Sequence, residues 1–167
     1  MREAVAVGNP APDFALPDYL GNNVKLSAYR GRANVLLVLN RGLMCPYCRK
    51  NLQELAGAYA QFQERGTEIL SIGADSAAAF QRFWSANSIP FPGLPDPERR
   101  VLRKYGQQVR LMRLGRLPAV LLVDRQGIVR YVHYGGSMMD IPPVQELLGW
   151  VDRVNKDQST PPAESAE

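Results

Sequence analysis

The 167-residue sequence predicts an α/β fold, a three-layer α/β/α sandwich with a mixed central sheet. Three observations carry this prediction. The runs ANVLLVLN and TEILSIGAD are almost continuously apolar, which is typical of strands buried on both faces. Each run is followed by a segment whose apolar residues recur at helical spacing. The run PAVLLVDRQGIVRYVHYG then reads as two strands joined by a turn, which adds an antiparallel pair to the sheet.

The first half of the chain is predicted to contain an irregular N-terminal segment, the first buried strand and the longest helix. Residues 8–23 are rich in proline and read as irregular, and residues 24–31 offer a short strand and a turn. The buried strand covers residues 33–40. The helix that follows begins at Pro46 and ends at Gly66, because proline suits a first helical position and glycine suits a helix end.

The second half continues with alternating strands and helices. The second strand covers residues 67–75, and the second helix covers residues 76–87 with Ser76 as its N-cap. Residues 88–97 contain too many prolines for regular structure. The remaining elements are a short helix that ends at Gly106, a hairpin that turns at residues 125–127, and a last helix over residues 141–155.

Length and composition indicate one domain. A chain of this length with 46% apolar residues can bury a single core. We assign residues 1–155 to this domain and residues 156–167 to a disordered tail, because the tail is polar and lacks large apolar residues. There is no apolar run long enough to span a membrane and no secretory leader at the start, so we expect a soluble cytoplasmic protein without a membrane partner.

One stretch of the chain is strongly basic. The segment RRVLRKYGQQVRLMRLGR, residues 99–116, has seven Arg or Lys residues and no acidic residue. Such a segment could attract nucleic acid or an acidic partner. Only Tyr105 is available as an aromatic stacking platform, so we favour a solvated helix face and loop and do not expect nucleic acid as a partner.

Cys45 and Cys48 are the only cysteines, and their C-x-x-C spacing predicts a redox pair. Cys45 precedes Pro46 and therefore lies at a helix N-terminus, where free N–H groups favour a thiolate. A helix end is worth only about 0.3–1 kcal/mol, so a cation is also needed, and Arg41 and Arg49 are the local choices. We expect an exposed Cys45 to attack first and a deeper, less ionised Cys48 to resolve the product.

Other uses of the two cysteines fit the sequence less well. A zinc site needs four ligands, and His133 is the only histidine. Covalent haem attachment needs histidine directly after the second cysteine, where this chain has Arg49. We therefore expect no metal and no cofactor, and we interpret His133 as a hydrogen-bonded sheet residue. Two inert buried cysteines remain an alternative.

Several segments together resemble the alkyl hydroperoxide reductase C / thiol-specific antioxidant (AhpC/TSA) family, which includes the peroxiredoxins. They are PAPDFALPDYLGNNVKLSAYRGRANVLLVLNRG, CPYC and LPAVLLVDRQGIVRYVHYG, and the resemblance covers about residues 8–152. It implies a thioredoxin-like fold with an N-terminal extension and Cys45 as the peroxide-attacking residue. It also implies a thioredoxin- or glutaredoxin-like reductant, and it is compatible with a homodimer.

The chain departs from the family pattern near the cysteines. Peroxiredoxins have a threonine three residues before the attacking cysteine and a proline four residues before that, and here these positions are Gly42 and Val38. The sequence CPYC is closer to disulfide oxidoreductases, in which a cis-proline lies opposite the cysteines, and Pro118 occupies a matching place. An arginine assists the cysteine in peroxiredoxins, and Arg113 and Arg116 are the nearest equivalents.

Three functional hypotheses therefore remain open. The first is a peroxidase that reduces hydrogen or organic peroxides through Cys45 and Cys48. The second is a disulfide oxidoreductase that uses the same pair on protein disulfides. The third is a non-enzymatic binder that uses residues 99–116. Arg41 and Pro118 are the predicted supporting residues in either enzyme.

Overall fold

A computed structural model describes residues 5–107, 109–110 and 115–159 and confirms the α/β class. The helices are α1 (Pro46–Glu64), α2 (Ala77–Asn87), α3 (Arg100–Lys104) and α4 (Val144–Ser159), with a 3₁₀ helix at Leu26–Tyr29. The strands are β1 (Ala15–Pro17), β2 (Asn23–Lys25), β3 (Asn34–Leu39), β4 (Thr67–Gly73), β5 (Gly93–Pro95), β6 (Val109–Arg110), β7 (Gly115–Arg116), β8 (Ala119–Val123) and β9 (Val129–Tyr134).

Five strands form the central sheet in the order β5-β4-β3-β8-β9. The pairs β3/β4 and β4/β5 are parallel, whereas β3/β8 and β8/β9 are antiparallel, so the predicted mixed sheet is confirmed. All six residues of β3 are buried because this central strand has neighbours on both sides and cores on both faces. The sheet therefore holds the end of β3, and the loop that follows it, in a fixed place.

Two apolar cores cover the two faces of the sheet. Alternate side chains of β3 divide between them: Leu36 lies in the core formed with α1, α2 and α4, and Leu37 lies in the opposite core. The second core is closed by the N-terminal segment and α3, including the fully buried Tyr105. The two helical layers therefore differ in size. One face of the sheet is covered by three helices, whereas the other is covered by the short helix α3 and the N-terminal segment.

Some elements differ from the sequence-based expectation. Residues 93–95 form strand β5 within the proline-rich segment, where no regular structure was expected. A proline is tolerated in β5 because this strand lies at the edge of the sheet and pairs only with β4. Few of its N–H groups are therefore needed for hydrogen bonds between strands. The short strand expected within residues 24–31 is β2, but its hairpin partner β1 and the hairpin β6/β7 were not predicted.

The last helix is shifted relative to its predicted bounds. It begins at Val144, after the two prolines, and continues to Ser159, past the predicted domain boundary at residue 155. Most of the predicted tail, residues 160–167, lies outside the described residues. Among the described residues, no helix has the length and apolarity that crossing a membrane requires.

The described part of the basic stretch packs against the domain. Val101, Leu102 and Tyr105 are buried in the second core, while Arg103 donates to the carbonyl oxygen of Arg99 at 3.1 Å. Lys104 Nζ donates to the Asp13 carbonyl oxygen at 2.8 Å. These residues therefore form a helix with a buried apolar side and basic side chains on its outer side, as the favoured interpretation requires.

Candidate active site

The loop between β3 and α1 carries the two cysteines. Cys45 is the N-cap of α1, with φ −77° and ψ 119°, and Pro46 is the first helical residue, as predicted. Two hydrogen bonds fix the loop: the Cys45 N–H donates to the Gly42 carbonyl at 3.1 Å, and the Leu43 N–H donates to Asp75 Oδ2 at 3.1 Å. The sulfur of Cys45 is therefore held against the free N–H groups of the first helical turn.

Both cysteines are nearly inaccessible. The exposed fraction is 2% for Cys45 and 2% for Cys48, so the prediction of an exposed Cys45 is wrong. Two residues close to Cys45 in the sequence are open to solvent instead: Met44 is 85% exposed and Tyr47 is 40% exposed. The two cysteines are not joined by a disulfide bond. Little of the Cys45 side chain is therefore open to a substrate in this structure.

The pKa of the Cys45 thiol lies below its ordinary value. Burial by itself raises this pKa, but several hydrogen bonds to the sulfur outweigh burial. The donors are the backbone N–H groups of Cys48 and Tyr47, the Cys48 thiol and the Arg41 side chain. The helix end and one cation thus act together, as the sequence predicted, and Cys45 is the better nucleophile of the pair.

The pKa of the Cys48 thiol is shifted the other way, to about 11. Burial is the main cause, and the negative charge that forms on Cys45 adds to it. The N–H groups of Arg41 and Gly42 oppose these effects only in part. Cys48 is therefore a protonated thiol at neutral pH, and its proton is available to the Cys45 sulfur.

Of the cations predicted to lower the pKa of Cys45, Arg41 donates a side-chain hydrogen bond to the sulfur. Arg49 lies one helical turn along α1 and lines a groove between α1 and α2. The half-buried Arg116 interacts electrostatically with Asp75, which anchors the cysteine loop. The side chain of Arg113 lies outside the described residues.

Pro118 lies at the same end of the sheet as the cysteines, but not in the predicted conformation. No peptide bond among the described residues is cis, so the prediction of a cis-proline is wrong. The trans form is the intrinsically favoured one, and the chain runs from β7 into β8 here without a tight turn that would require cis geometry. The Pro118 carbonyl instead accepts a hydrogen bond from the Gly135 N–H at 2.8 Å.

Comparison with known proteins identifies the family. The profile of the AhpC/TSA family matches residues 7–132, which is more than half of the chain. The chain belongs to the AhpC/TSA family. It is 31% identical over 135 residues to the thiol-disulfide oxidoreductase ResA of Geobacillus thermodenitrificans, covering 80% of this chain and 72% of that protein. It is 30% identical over 131 residues to the chloroplastic peroxiredoxin Q of Oryza sativa subsp. japonica, covering 77% of this chain and 59% of that protein.

Solved structures of a peroxidoxin and a peroxiredoxin share the fold. Peroxidoxin BcpB from Mycobacterium tuberculosis superimposes with a TM-score of 0.80 at 21% identity, covering 90% of this chain and 98% of that one. The reduced 2-Cys peroxiredoxin of Plasmodium vivax gives a TM-score of 0.81 at 22% identity, covering 92% and 99%. The comparisons confirm the predicted family, its thioredoxin-like fold and an oxidoreductase enzyme.

Gln107 has a structural role near the cysteines that the sequence did not predict. Gln107 is 9% exposed, and its Nε2 donates to the carbonyl oxygens of Asn40, at 2.9 Å, and Leu117, at 3.2 Å. These carbonyls directly precede Arg41 and Pro118, so Gln107 ties together the two chain segments that carry the supporting residues. No sequence signal marks this role, because the two segments meet only in the folded sheet.

His133 has the structural role that was expected. Its Nε2 lies 2.8 Å from Asp140 Oδ1, and Asp140 Oδ2 accepts from the Gly136 N–H at 2.7 Å. These bonds fix the loop that follows β9. The pKa of Asp140 is lowered mainly by the Gly136 N–H, with the His133 contact adding to the effect against burial.

Proposed function

We propose that the chain is a thiol-dependent peroxidase that reduces hydrogen or organic peroxides. The observation that carries the proposal is the asymmetry of the cysteine pair: Cys45 has a lowered pKa at the start of α1, and Cys48 has a raised pKa one turn further on. Membership of the AhpC/TSA family and likeness to peroxiredoxin Q support the same reaction.

The reaction proceeds in three balanced steps. The Cys45 thiolate attacks the terminal peroxide oxygen, the S–O bond forms as the O–O bond breaks, and the leaving oxygen takes a proton to become water or an alcohol. The Cys48 sulfur then attacks the Cys45 sulfenic acid, which forms the disulfide and releases water. A cellular dithiol finally reduces this disulfide and becomes a disulfide itself.

Peroxide consumption tests the first step. Purified protein with a dithiol reductant should consume peroxide, and Cys45→Ser should not. Mass spectrometry after one equivalent of peroxide should find a Cys45–Cys48 disulfide in the native chain and a Cys45 sulfenic acid in Cys48→Ser. Consumption no faster than that of Cys45→Ser would reject the proposal.

A second candidate function is protein-disulfide exchange by the same cysteine pair. Two observations favour it: Gly42 offers no hydroxyl to orient a peroxide, and ResA is named as a thiol-disulfide oxidoreductase. Reduction of insulin disulfides separates the two functions, because a peroxidase without exchange activity leaves insulin intact.

We also propose a reductant, an assembly and a location for the protein. A thioredoxin- or glutaredoxin-like protein is the expected reductant, since the relatives include both a thiol-disulfide oxidoreductase and a peroxiredoxin. A homodimer is compatible with the 2-Cys peroxiredoxin neighbours, and analytical ultracentrifugation would measure it. Cytoplasmic location stays a prediction that cell fractionation would test.

A further inference from the structure

A cavity of about 290 Å³ lies between strand β1 and helix α3, on the face of the sheet that α1 and α2 do not cover. Phe14 and Leu16 line it on the β1 side, and Val101 lines it on the α3 side. These three side chains belong to the second core, so the apolar floor of the cavity is fixed. Strand β1 pairs with β2 alone, and its second edge has no strand partner in the part of the chain that the structure describes. An extended segment of another protein can therefore lie between β1 and α3.

Helix α3 places two positive charges on the rim of this cavity. Arg100 and Lys104 are exposed, line the cavity and lie four residues apart, on one side of the helix. The helix is short but fixed, because the buried Asp96 carboxylate accepts the N–H groups of Val101 and Leu102 at 3.0 and 2.9 Å. The two charged residues therefore have a defined spacing of about 6 Å along the helix axis.

The carboxylates near this rim compensate its charge only weakly. Glu98 Oε2 lies 3.4 Å from Arg100 Nε, but both side chains are more than three-quarters exposed, and such an ion pair contributes little. Lys104 Nζ donates to the Asp13 carbonyl oxygen at 2.8 Å, which is a neutral group. The Asp13 carboxylate itself accepts two backbone N–H groups, both at 3.0 Å. The rim therefore keeps positive charge that an acidic partner can meet.

We propose that this cavity is the docking site for an extended segment of a partner protein in which acidic and apolar residues alternate. Alternate residues of an extended chain lie on one face about 6.7 Å apart, which matches the spacing of Arg100 and Lys104. The acidic side chains then meet these two cations, and the apolar residue between them points toward the floor. The same rim disfavours basic segments. The inference goes beyond the proposed peroxidase function and gives a role to the described part of the basic stretch.

Fluorescence anisotropy with matched peptides tests the proposal. The probe is a labelled peptide with blocked termini in which aspartate alternates with leucine and valine, and its control has asparagine in place of each aspartate. We expect the acidic peptide to bind more tightly at low ionic strength, and we expect the difference to shrink as salt is added. Arg100→Gln and Lys104→Gln should each weaken binding of the acidic peptide by about 2- to 5-fold. The control Arg82→Gln removes the same charge from an exposed position of α2, on the other face of the sheet, and should leave binding unchanged.

The possible outcomes separate docking from general charge attraction and from the peroxidase reaction. Absence of peptide binding, or equal binding of the two peptides, would overturn the docking site. Equal weakening by Arg82→Gln and Arg100→Gln would also overturn it, because the net positive charge of the chain would then account for the attraction. Tighter binding of a single-stranded oligonucleotide, weakened by Arg100→Gln, would assign the surface to nucleic acid instead. Peroxide consumption with a small dithiol should be the same in Arg100→Gln as in the native chain, so docking and peroxidase activity are measured separately.

Discussion

Cys45 combines burial with a lowered pKa, two properties that usually oppose each other. Burial raises the pKa of a thiol, and only directed hydrogen bonds can reverse that effect at a site with so little solvent. The Cys48 and Tyr47 N–H groups come from the helix itself, whereas Arg41 comes from the loop that follows β3. At the residue scale, reactivity therefore depends on one charged side chain that a substitution can remove.

Replacement of Arg41 by Gln should slow peroxide reduction at neutral pH. Without this donor the pKa of Cys45 rises, so the thiolate fraction falls and the pH–rate profile moves to higher pH. Arg41 is only half-buried, so we expect a loss of about 5-fold, or about 1 kcal/mol. The ultraviolet absorbance of the thiolate, followed against pH, measures the shift. An unchanged titration curve would contradict the role of Arg41.

Gly42 stands where peroxiredoxins have threonine, and the site has room for that residue. A Cβ built on Gly42 meets no atom within 4 Å, and its φ is not in the left-handed region. We expect Gly42→Thr to raise kcat/KM for hydrogen peroxide by about tenfold, equivalent to about 1.4 kcal/mol, because a hydroxyl can then orient the peroxide.

Gly42→Val is the matched control for the threonine variant. It has nearly the same shape but no hydroxyl, so it should leave the peroxide rate close to that of the native chain. Equal gains in the two variants would show that backbone stiffening, and not the hydroxyl, changed the rate.

At the scale of elements, the part that carries the chemistry was the most predictable. Strand β3 and helix α1 were predicted within a few residues because an apolar run, a proline at N1 and a glycine end are local signals. Strand β5 was missed because the prolines in and around it argue against a strand, and only its position at the edge of the folded sheet permits one. The burial of Cys45 and the role of Gln107 depend on long-range packing that no local pattern encodes.

The end of α4 is held by a polar network that the sequence does not reveal. Asn34 on β3 is 0% exposed, and its Nδ2 donates to Asn155 Oδ1 at 2.8 Å. Gln158 Nε2 donates to Asn34 Oδ1 at 3.0 Å, and the Gln158 carbonyl oxygen Oε1 accepts the Arg125 N–H at 3.2 Å. Gln158 lies in the segment that was predicted to be a disordered tail because of its polar composition. Its side chain nevertheless donates to the buried Asn34 side chain.

Replacement of Gln158 by Ala should therefore lower the free energy of unfolding by about 1–2 kcal/mol. The variant leaves the buried Asn34 oxygen without this donor, and such unsatisfied groups cost about 1–3 kcal/mol. Urea denaturation measures the change. Gln81→Ala, at an exposed position of α2, is the control and should change the value by less than about 0.5 kcal/mol. Equal effects of the two substitutions would contradict the network's importance.

At the scale of the whole molecule, both cores contain tyrosines that are neutral in the folded state. Burial raises the pKa of Tyr131 to about 12, with Glu146 and Asp140 adding to the shift. Burial likewise raises the pKa of Tyr105 well above its ordinary value, with the charges of Asp13 and Tyr134 adding to it. One tyrosine belongs to each core, so ionisation in alkali opposes folding on both faces of the sheet.

Stability should consequently fall as pH rises above about 10. In that range the unfolded chain loses phenolic protons that the folded chain retains, so stability is complete below the ordinary tyrosine pKa and is lost toward the folded pKa values. Each tyrosine contributes at most about 1.4 kcal/mol per pH unit. Urea midpoints measured from pH 8 to pH 12 test this, and Tyr131→Phe should flatten the decline. A midpoint independent of pH would contradict it.

The two tryptophans of the chain lie on different helices, Trp84 on α2 and Trp150 on α4, so their fluorescence can be separated by substitution. The Trp84 indole N–H donates to the Phe91 carbonyl at 2.7 Å, and its ring lies 5.7 Å from that of Phe83, which lines the groove. Trp150 lies 4.7 Å from the Arg153 guanidinium on α4. With Trp150 replaced by Phe, the tryptophan fluorescence comes from Trp84 alone. The protein then has a native fluorophore in ring contact with Phe83, a residue of the groove between α1 and α2, and a change in the surroundings of that ring is followed without any attached dye.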